Sequence, residues 1–192
     1  MPNVNRGLSA FMQGGNPDTV NVSLSSPPVP GSFTPYAPGD LGTTFEYQDK
    51  AYTPVIVDSG ATAATSTGTV LANQLLYWKD KANRIVTNDH RVALGGQTTN
   101  AWRNFVAGVA RVAVGTPGTG GNLIFMLVRG YNIPVLSNAT GGIGQVASAD
   151  STDGQVIGTA VGTMPGYLGL GVERSAVSAG SVNVDLDVPV LP

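Results

Sequence analysis

Between Ala107 and Leu186 the chain is a series of short apolar runs cut by glycine, and that pattern restricts its architecture more than any other feature. The runs are Phe105-Val-Ala-Gly-Val-Ala-Arg-Val-Ala-Val, Asn122-Leu-Ile-Phe-Met-Leu-Val-Arg-Gly, Ile133-Pro-Val-Leu, Tyr167-Leu-Gly-Leu-Gly-Val and Ser181-Val-Asn-Val-Asp-Leu. Each is rich in β-branched residues, has the length of a strand and is bounded by turn formers, so the segment predicts strands. Asn122 to Val128 is apolar without a break, as in a strand buried on both faces. The last run alternates, with Val182, Val184, Leu186 and Val188 on one face and Asn183, Asp185 and Asp187 on the other, so it is half-buried. Frequent short strands with turns between them predict an all-β domain, a small barrel, a β-tulip-like fold or a sandwich.

The first third differs. From Leu24 to Gly42 prolines repeatedly fix φ and remove backbone donors, which excludes helix and central strand. Residues 1–43 are therefore expected to form an extended Pro/Gly-rich arm, with Phe33 and Tyr36 as its anchoring groups on a neighbour or on the same subunit. Residues 44–192 form the β-rich domain. It opens with two strands, Thr44-Phe-Glu-Tyr and Ala51-Tyr-Thr-Pro-Val-Ile-Val, joined through Gln48-Asp-Lys. A small-residue stretch from Asp58 reads as a loop, and Leu75-Leu-Tyr-Trp and Arg84-Ile-Val-Thr read as strands around a charged turn. Trp102, Phe105, Val106 and Val109 have helical spacing, but Gly108 and the Val/Ala alternation favour a strand from Phe105 onward.

Charged residues make up 11% of the 192, far below the usual quarter, so Ser, Thr, Asn and Gly cover much of the surface. Such a surface suits burial against other subunits. The sequence has no cysteine, which excludes disulfides and thiolate-metal sites. No apolar run approaches the roughly 20 residues of a membrane helix, and Met1-Pro-Asn-Val-Asn-Arg lacks the order of a secretory signal, so a soluble protein made in the cytoplasm is expected. Charge is segregated: Lys79, Lys81, Arg84, Arg91, Arg103, Arg111 and Arg129 make the middle basic, between acidic ends. A nucleic-acid groove needs clustered Lys/Arg with base-stacking aromatics, and those basic residues are dispersed along the middle of the chain, which disfavours nucleic-acid binding.

Residues suited to chemistry are few. His90 is the one histidine and sits beside Asp89, but a triad would need a serine brought from elsewhere, and a surface turn is expected. Asp150-Ser-Thr-Asp153-Gly154 lacks the alternating ligands and late Glu of a calcium loop and predicts a hairpin turn. Gly141-Gly-Ile-Gly144 has the wrong spacing for a dinucleotide loop. Paired carboxylates at Asp185 and Asp187, or Asp150 and Asp153, have a geometry that any exposed strand edge shares. No enzyme activity, cofactor or metal is expected.

The order of elements over about the last 110 residues resembles that of the capsid decoration, or cement, proteins of tailed bacteriophages. The resemblance rests on Val106-Ala-Gly-Val-Ala110, Asn122 to Gly130, Ile133-Pro-Val-Leu136, Asp150 to Gly154, Leu168-Gly-Leu-Gly-Val172 and Val182-Asn-Val-Asp-Leu186. It implies homotrimers that bind the major capsid protein on the exterior of the virion shell and stabilise it, with no membrane or nucleic-acid partner. Candidate contacts to the capsid or to sister subunits are Phe33, Tyr36, Lys79, Lys81, Arg84 and Arg103. The alternatives are a tail-tube or head-fibre component, or a carbohydrate- or receptor-binding module for which Tyr47, Tyr52, Tyr77 and Trp78 would have to line an exposed platform.

Overall fold

A computed structural model describes residues 16–24, 44–57, 69–94, 101–117, 120–138, 141–160 and 169–188. Among them are eleven strands: β1 (Asn21–Ser23), β2 (Phe45–Tyr47), β3 (Lys50–Val57), β4 (Leu75–Asp80), β5 (Ile85–Thr87), β6 (Val106–Ala110), β7 (Asn122–Leu136), β8 (Val146–Ala149), β9 (Val156–Thr159), β10 (Gly171–Glu173) and β11 (Ser181–Asp187). The fold is all-β, as the glycine-bounded runs predict. The strand favoured after Phe105 is present as β6, preceded by a 3-10 turn, Ala101–Phe105, that buries Trp102. Gln48 and Asp49 close the β2–β3 hairpin with φ of 49° and 60°, the pair of left-handed residues that a two-residue loop needs to match strand twist.

The hydrogen-bonded order is β2-β3-β5-β4-β6-β7-β11-β10-β8-β9, with β3 also pairing β7 and β1 lying on β7. The path β3-β5-β4-β6-β7 thus returns to β3 and closes a ring of five strands. The rest of the sheet repeats that scheme: the second half of β7 pairs β11, β11 pairs β10, β10 pairs β8 and β8 pairs β9. A parallel bridge from Ser137 to Val156 returns β9 to the end of β7. The second half of β7 with β8–β11 therefore stands in the same relations as β3–β6 with the first half of β7.

The correspondence holds residue by residue. Val57 pairs Val86 in parallel, and Ser137 pairs Val156 in parallel. Leu76 lies opposite Gly108, and Ala147 opposite Gly171. Pro54 faces Phe125, and Pro134 faces Asn183. The turn residues Arg84 (φ 59°) and Gly154 (φ 70°) each stand two places before the matched valines, Val86 and Val156. The one extra residue in the first hairpin is absorbed by the irregularity between Trp78 and Asp80. The long strand β7 is thus the last strand of one copy and the first of the next, and the two apolar runs around Gly130 that read as separate strands are continuous.

Packing explains why matched strands differ in sequence. Val55, Val57, Leu76, Val86, Ala107, Ala110, Ile124 and Met126, drawn from all five strands of the first ring, form one buried cluster. The opposite face of the same strands, Tyr52, Leu75, Val109, Phe125 and Leu127, is buried in a second cluster that also takes in Val135, Ala147, Val156, Val182 and Val184 of the second copy. The first copy is buried on both faces, which gives Leu123 to Leu127 its unbroken apolar run. The second is buried on one, so Val182, Val184 and Leu186 alternate with polar residues, as predicted.

Residues 16–24, within the segment expected to be an arm, are docked. β1 pairs Asn122–Ile124 of β7, and Asp18 of the 3-10 turn Pro17–Thr19 joins the network described below. The proline-rich stretch with Phe33 and Tyr36, and the loop expected from Asp58, lie outside the described residues.

Candidate functional site

A dense group of polar side chains forms where the chain leaves β5 and meets the β8–β9 turn. Thr87 ends β5, and its Oγ1 accepts the Asp89 amide at 2.9 Å, which turns the chain inward. The carboxylate of Asp89 then accepts the Arg91 amide at 2.8 Å and both Nε and Nη2 of the Arg91 guanidinium at 2.7 Å. His90 Nδ1 lies 2.6 Å from Asp153 Oδ1, which also accepts the His90 amide at 3.2 Å. The imidazole packs on Trp102 at 4.7 Å between ring centroids, and Trp102 meets Tyr77 of β4 edge-on at 5.6 Å.

His90 is in a turn as expected, but its carboxylate partner is Asp153, 63 residues away, and the adjacent Asp89 is taken by Arg91. Burial on its own would raise the Asp89 pKa. The Arg91 hydrogen bonds and charge outweigh it and hold the group below the ordinary carboxylate value. The His90–Asp153 contact through Nδ1 has the orientation of a catalytic dyad, but among the described residues no hydroxyl bonds to the imidazole. Asp89, His90 and Asp153 each offer a ligand atom within 4.8 Å of the others, a spacing that suits a metal ion. Arg91 already supplies the compensating positive charge, bidentate on Asp89 and 3.6 Å from Asp153. A dication would have to displace it. The arrangement is a self-satisfied ion-pair network that ties the end of β5 to the β8–β9 hairpin, and so ties one copy to the other.

Asp150 to Gly154 forms the hairpin turn predicted for it. Asp150 Oδ2 accepts the Thr152 amide at 3.0 Å and Asn138 Nδ2 at 2.6 Å, and these bonds keep its pKa low although burial opposes them. A second network fastens the docked N-terminal segment. Asp18 accepts Lys50 Nζ at 3.0 Å, the Tyr52 hydroxyl at 2.8 Å and Arg111 Nε at 3.2 Å, and Arg111 also reaches Asn73. Burial would raise the Asp18 pKa, but these donors lower it, while burial and Asp18 together push the Tyr52 hydroxyl well above its ordinary value. Neither network is visible as a sequence motif, because each is closed by contacts between residues 32 to 93 apart in the chain.

Of the candidate contact residues, Lys79, Lys81 and Arg84 sit together on the β4–β5 hairpin, where Arg84 takes the left-handed turn position. Arg103 lies apart, in the 3-10 turn, with its guanidinium 5.0 Å over the Trp102 ring. Phe33 and Tyr36 lie outside the described residues. The aromatic platform required for a carbohydrate-binding module is not formed: Tyr52 and Tyr77 are 1% and 0% exposed, because both fill the core between the two copies. Among the described residues the exposed large apolar groups are Leu71 and Val92 in the first copy and Tyr131, Ile143 and Val172 in the second. Arg174 stacks over Tyr131 there and pairs with Asp185.

Among the described residues no helix is long and apolar enough to cross a membrane. No protein-family model matches the chain, and no curated protein matches it in sequence.

Proposed function

We propose that the chain is a structural virion protein that binds the outer surface of a tailed-phage capsid as a homotrimer and stabilises the shell. The observation that carries this reading is β7, a 15-residue strand paired along its length with β3 and β6 in one copy and β11 in the other. A strand held in this way couples the two copies into one stiff body, which is what a brace across shell subunits requires. The charge networks support the same role. Asp18, Asp89 and Asp153 are each engaged by cations or donors of the same chain, so the scarce charge fastens the fold to itself. The resemblance in strand order supplies the partner, the major capsid protein, and the threefold arrangement.

The experiment is reconstitution. Virions of the virus that encodes the chain are stripped of it, and purified protein is added back to the expanded shells. Saturable binding at a fixed ratio to the major capsid protein, raised resistance of the shells to heat, and trimers by light scattering are expected. Absence of binding to expanded shells, or assembly of the purified protein into rings or tubes, refutes the proposal; the second result assigns it to the tail.

A further inference from the structure

The two copies place the same backbone hydrogen bonds around different side chains, and that comparison isolates Glu173. In the first copy Asn73 donates to the Ala110 carbonyl at 2.6 Å, Ala110 to Gln74 at 2.9 Å and Gln74 to Leu71 at 3.3 Å. In the second, Gly144 donates to Glu173 at 2.9 Å, Glu173 to Gln145 at 2.8 Å and Gln145 to Gly142 at 3.0 Å. Asn73 and Gly144 share a left-handed φ, 67° and 83°. The matched positions are therefore Leu71 with Gly142, Gln74 with Gln145, Ala110 with Glu173 and, through the β5 and β9 registers, Asn88 with Gly158.

Donors and acceptors balance in the first copy. Gln74 Oε1 accepts the Leu71 amide and Asn88 Nδ2, both at 2.8 Å, and position 110 is an alanine. In the second copy the asparagine donor is gone, because position 158 is glycine, and a fully buried carboxylate has been added. Glu173 Oε2 accepts the Gly142 amide at 2.7 Å, while Oε1 has no partner among the described residues. Gln145 Oε1 and Glu173 Oε1 converge on Gly158, each within 2.7 Å of where a Cβ at that position would sit. A Cβ on Gly141 would come within 2.5 Å of the same carboxylate. The glycines make room for an acid group that the sister copy does without, and among the described residues the Gly142 N–H is the one donor on its carboxylate.

We propose that Glu173 is an acid-sensitive latch on the Gly141–Gln145 turn. Protonated, it is neutral and keeps the Gly142 amide on Oε2, so the turn closes over a group that carries no buried charge. Ionised, it leaves a buried charge with one hydrogen bond, and the turn above it loosens. Among the described residues the elements packed around it bring no compensating charge: β8, β9 and the turn itself carry no ionisable side chain, Arg174, just after β10, is paired with Asp185 of β11 on the outer face, and Asp187 at the end of β11 is exposed. Burial is the main influence on its titration, with the Gly142 N–H opposing it, and the net direction is upward from 4.5. A group raised in the folded state contributes stability below its unfolded pKa and loses it as pH rises through the folded one. The latch therefore holds below 4.5 and is released as pH rises through the raised folded value, a window above that in which Asp18, Asp89 and Asp150 titrate.

The test is urea unfolding of the full chain from pH 4.5 to 8, comparing wild type with Glu173→Gln and with Glu173→Ala, the residue of the sister copy, together with amide exchange at Gly142 and Gly144. The expected result is that both variants unfold at higher urea than wild type at pH 8, and that the gap for Glu173→Gln closes by pH 4.5. Protection of the two glycine amides, corrected for intrinsic rate, falls with rising pH in wild type only. Parallel pH profiles for wild type and Glu173→Gln overturn the proposal. So does a rise in wild-type stability at pH 8 on adding calcium alone, with no effect on Glu173→Gln, because the buried carboxylate would then be serving a metal ion.

Discussion

Gly171 offers the sharpest test of the paired-copy geometry, through a graded series of glycine-to-alanine variants. A Cβ at Gly171 would lie 1.9 Å from the Asp185 carbonyl oxygen, and Gly171 has φ of 152°. A carbon normally approaches such an oxygen to about 3.3 Å, so β10 would have to retreat by roughly 1.4 Å. That movement strains the three β10–β11 pairs, Gly171 with Leu186, Val172 with Asp185 and Glu173 with Val184. Overpacking of this kind costs about 1–3 kcal/mol, and the backbone conformation adds about 1 kcal/mol. Gly171→Ala should therefore lose about 3 kcal/mol, or about 6–12 °C in Tm for a chain of this size. Gly108, the matched glycine of the first copy, has the Leu127 carbonyl oxygen 2.5 Å from its would-be Cβ and should cost nearly as much. Gly180 has φ of 74° but nothing within 4 Å, so alanine there should cost only about 1 kcal/mol. Gly115 is free of both constraints and should stay within about 0.5 kcal/mol of wild type. Urea denaturation of the four variants measures the series. If Gly171→Ala and Gly108→Ala are no worse than Gly180→Ala, the close strand contact is wrong.

Two further predictions concern the networks. His90→Ala removes both the Asp153 bond and the packing on Trp102, and should lower stability by about 1–3 kcal/mol in urea unfolding; a change below about 0.5 kcal/mol, the size expected of a substitution at an exposed site without such contacts, counts against the link between copies. Asp18 has its pKa lowered on folding, so its stabilisation is present above about 3.8 and is lost as pH falls through the folded value. Asp18→Asn should therefore destabilise the protein at pH 7 and flatten its acid unfolding below pH 4, and an unchanged acid limb in the variant speaks against the Lys50–Tyr52–Arg111 network.

Local structure was legible where one residue decides it. The alternation of Val182, Val184 and Leu186, the hairpin turn at Asp150–Gly154 and the start of β6 after Phe105 all follow from side-chain period or turn chemistry. The union of Asn122–Gly130 with Ile133–Leu136 was not, because glycine and proline ordinarily end a strand. Here Gly130 faces Leu186, and Asn132 takes a left-handed φ of 54° at the irregularity beside it, so the strand kinks and continues. The duplication did leave a trace, Gly108-Val-Ala-Arg-Val-Ala-Val against Gly171-Val-Glu-Arg-Ser-Ala-Val, but the loops between matched strands differ in length and hide the period. The His90–Asp153 and Asp18 networks carry no local signal at all, since tertiary folding alone brings their members together.

The shared strand also orders events during synthesis. Every strand of the first ring has left the ribosome once Val128 emerges, so that ring can close while the second copy is still being made. Its last strand then runs directly into the first strand of the next unit, already aligned and with one edge formed. The slow step in building a sheet from distant segments, finding the register, is met once for β3 against β7. For β11 the template is in place before the strand exists, so growth of the second copy is a local addition to a finished surface.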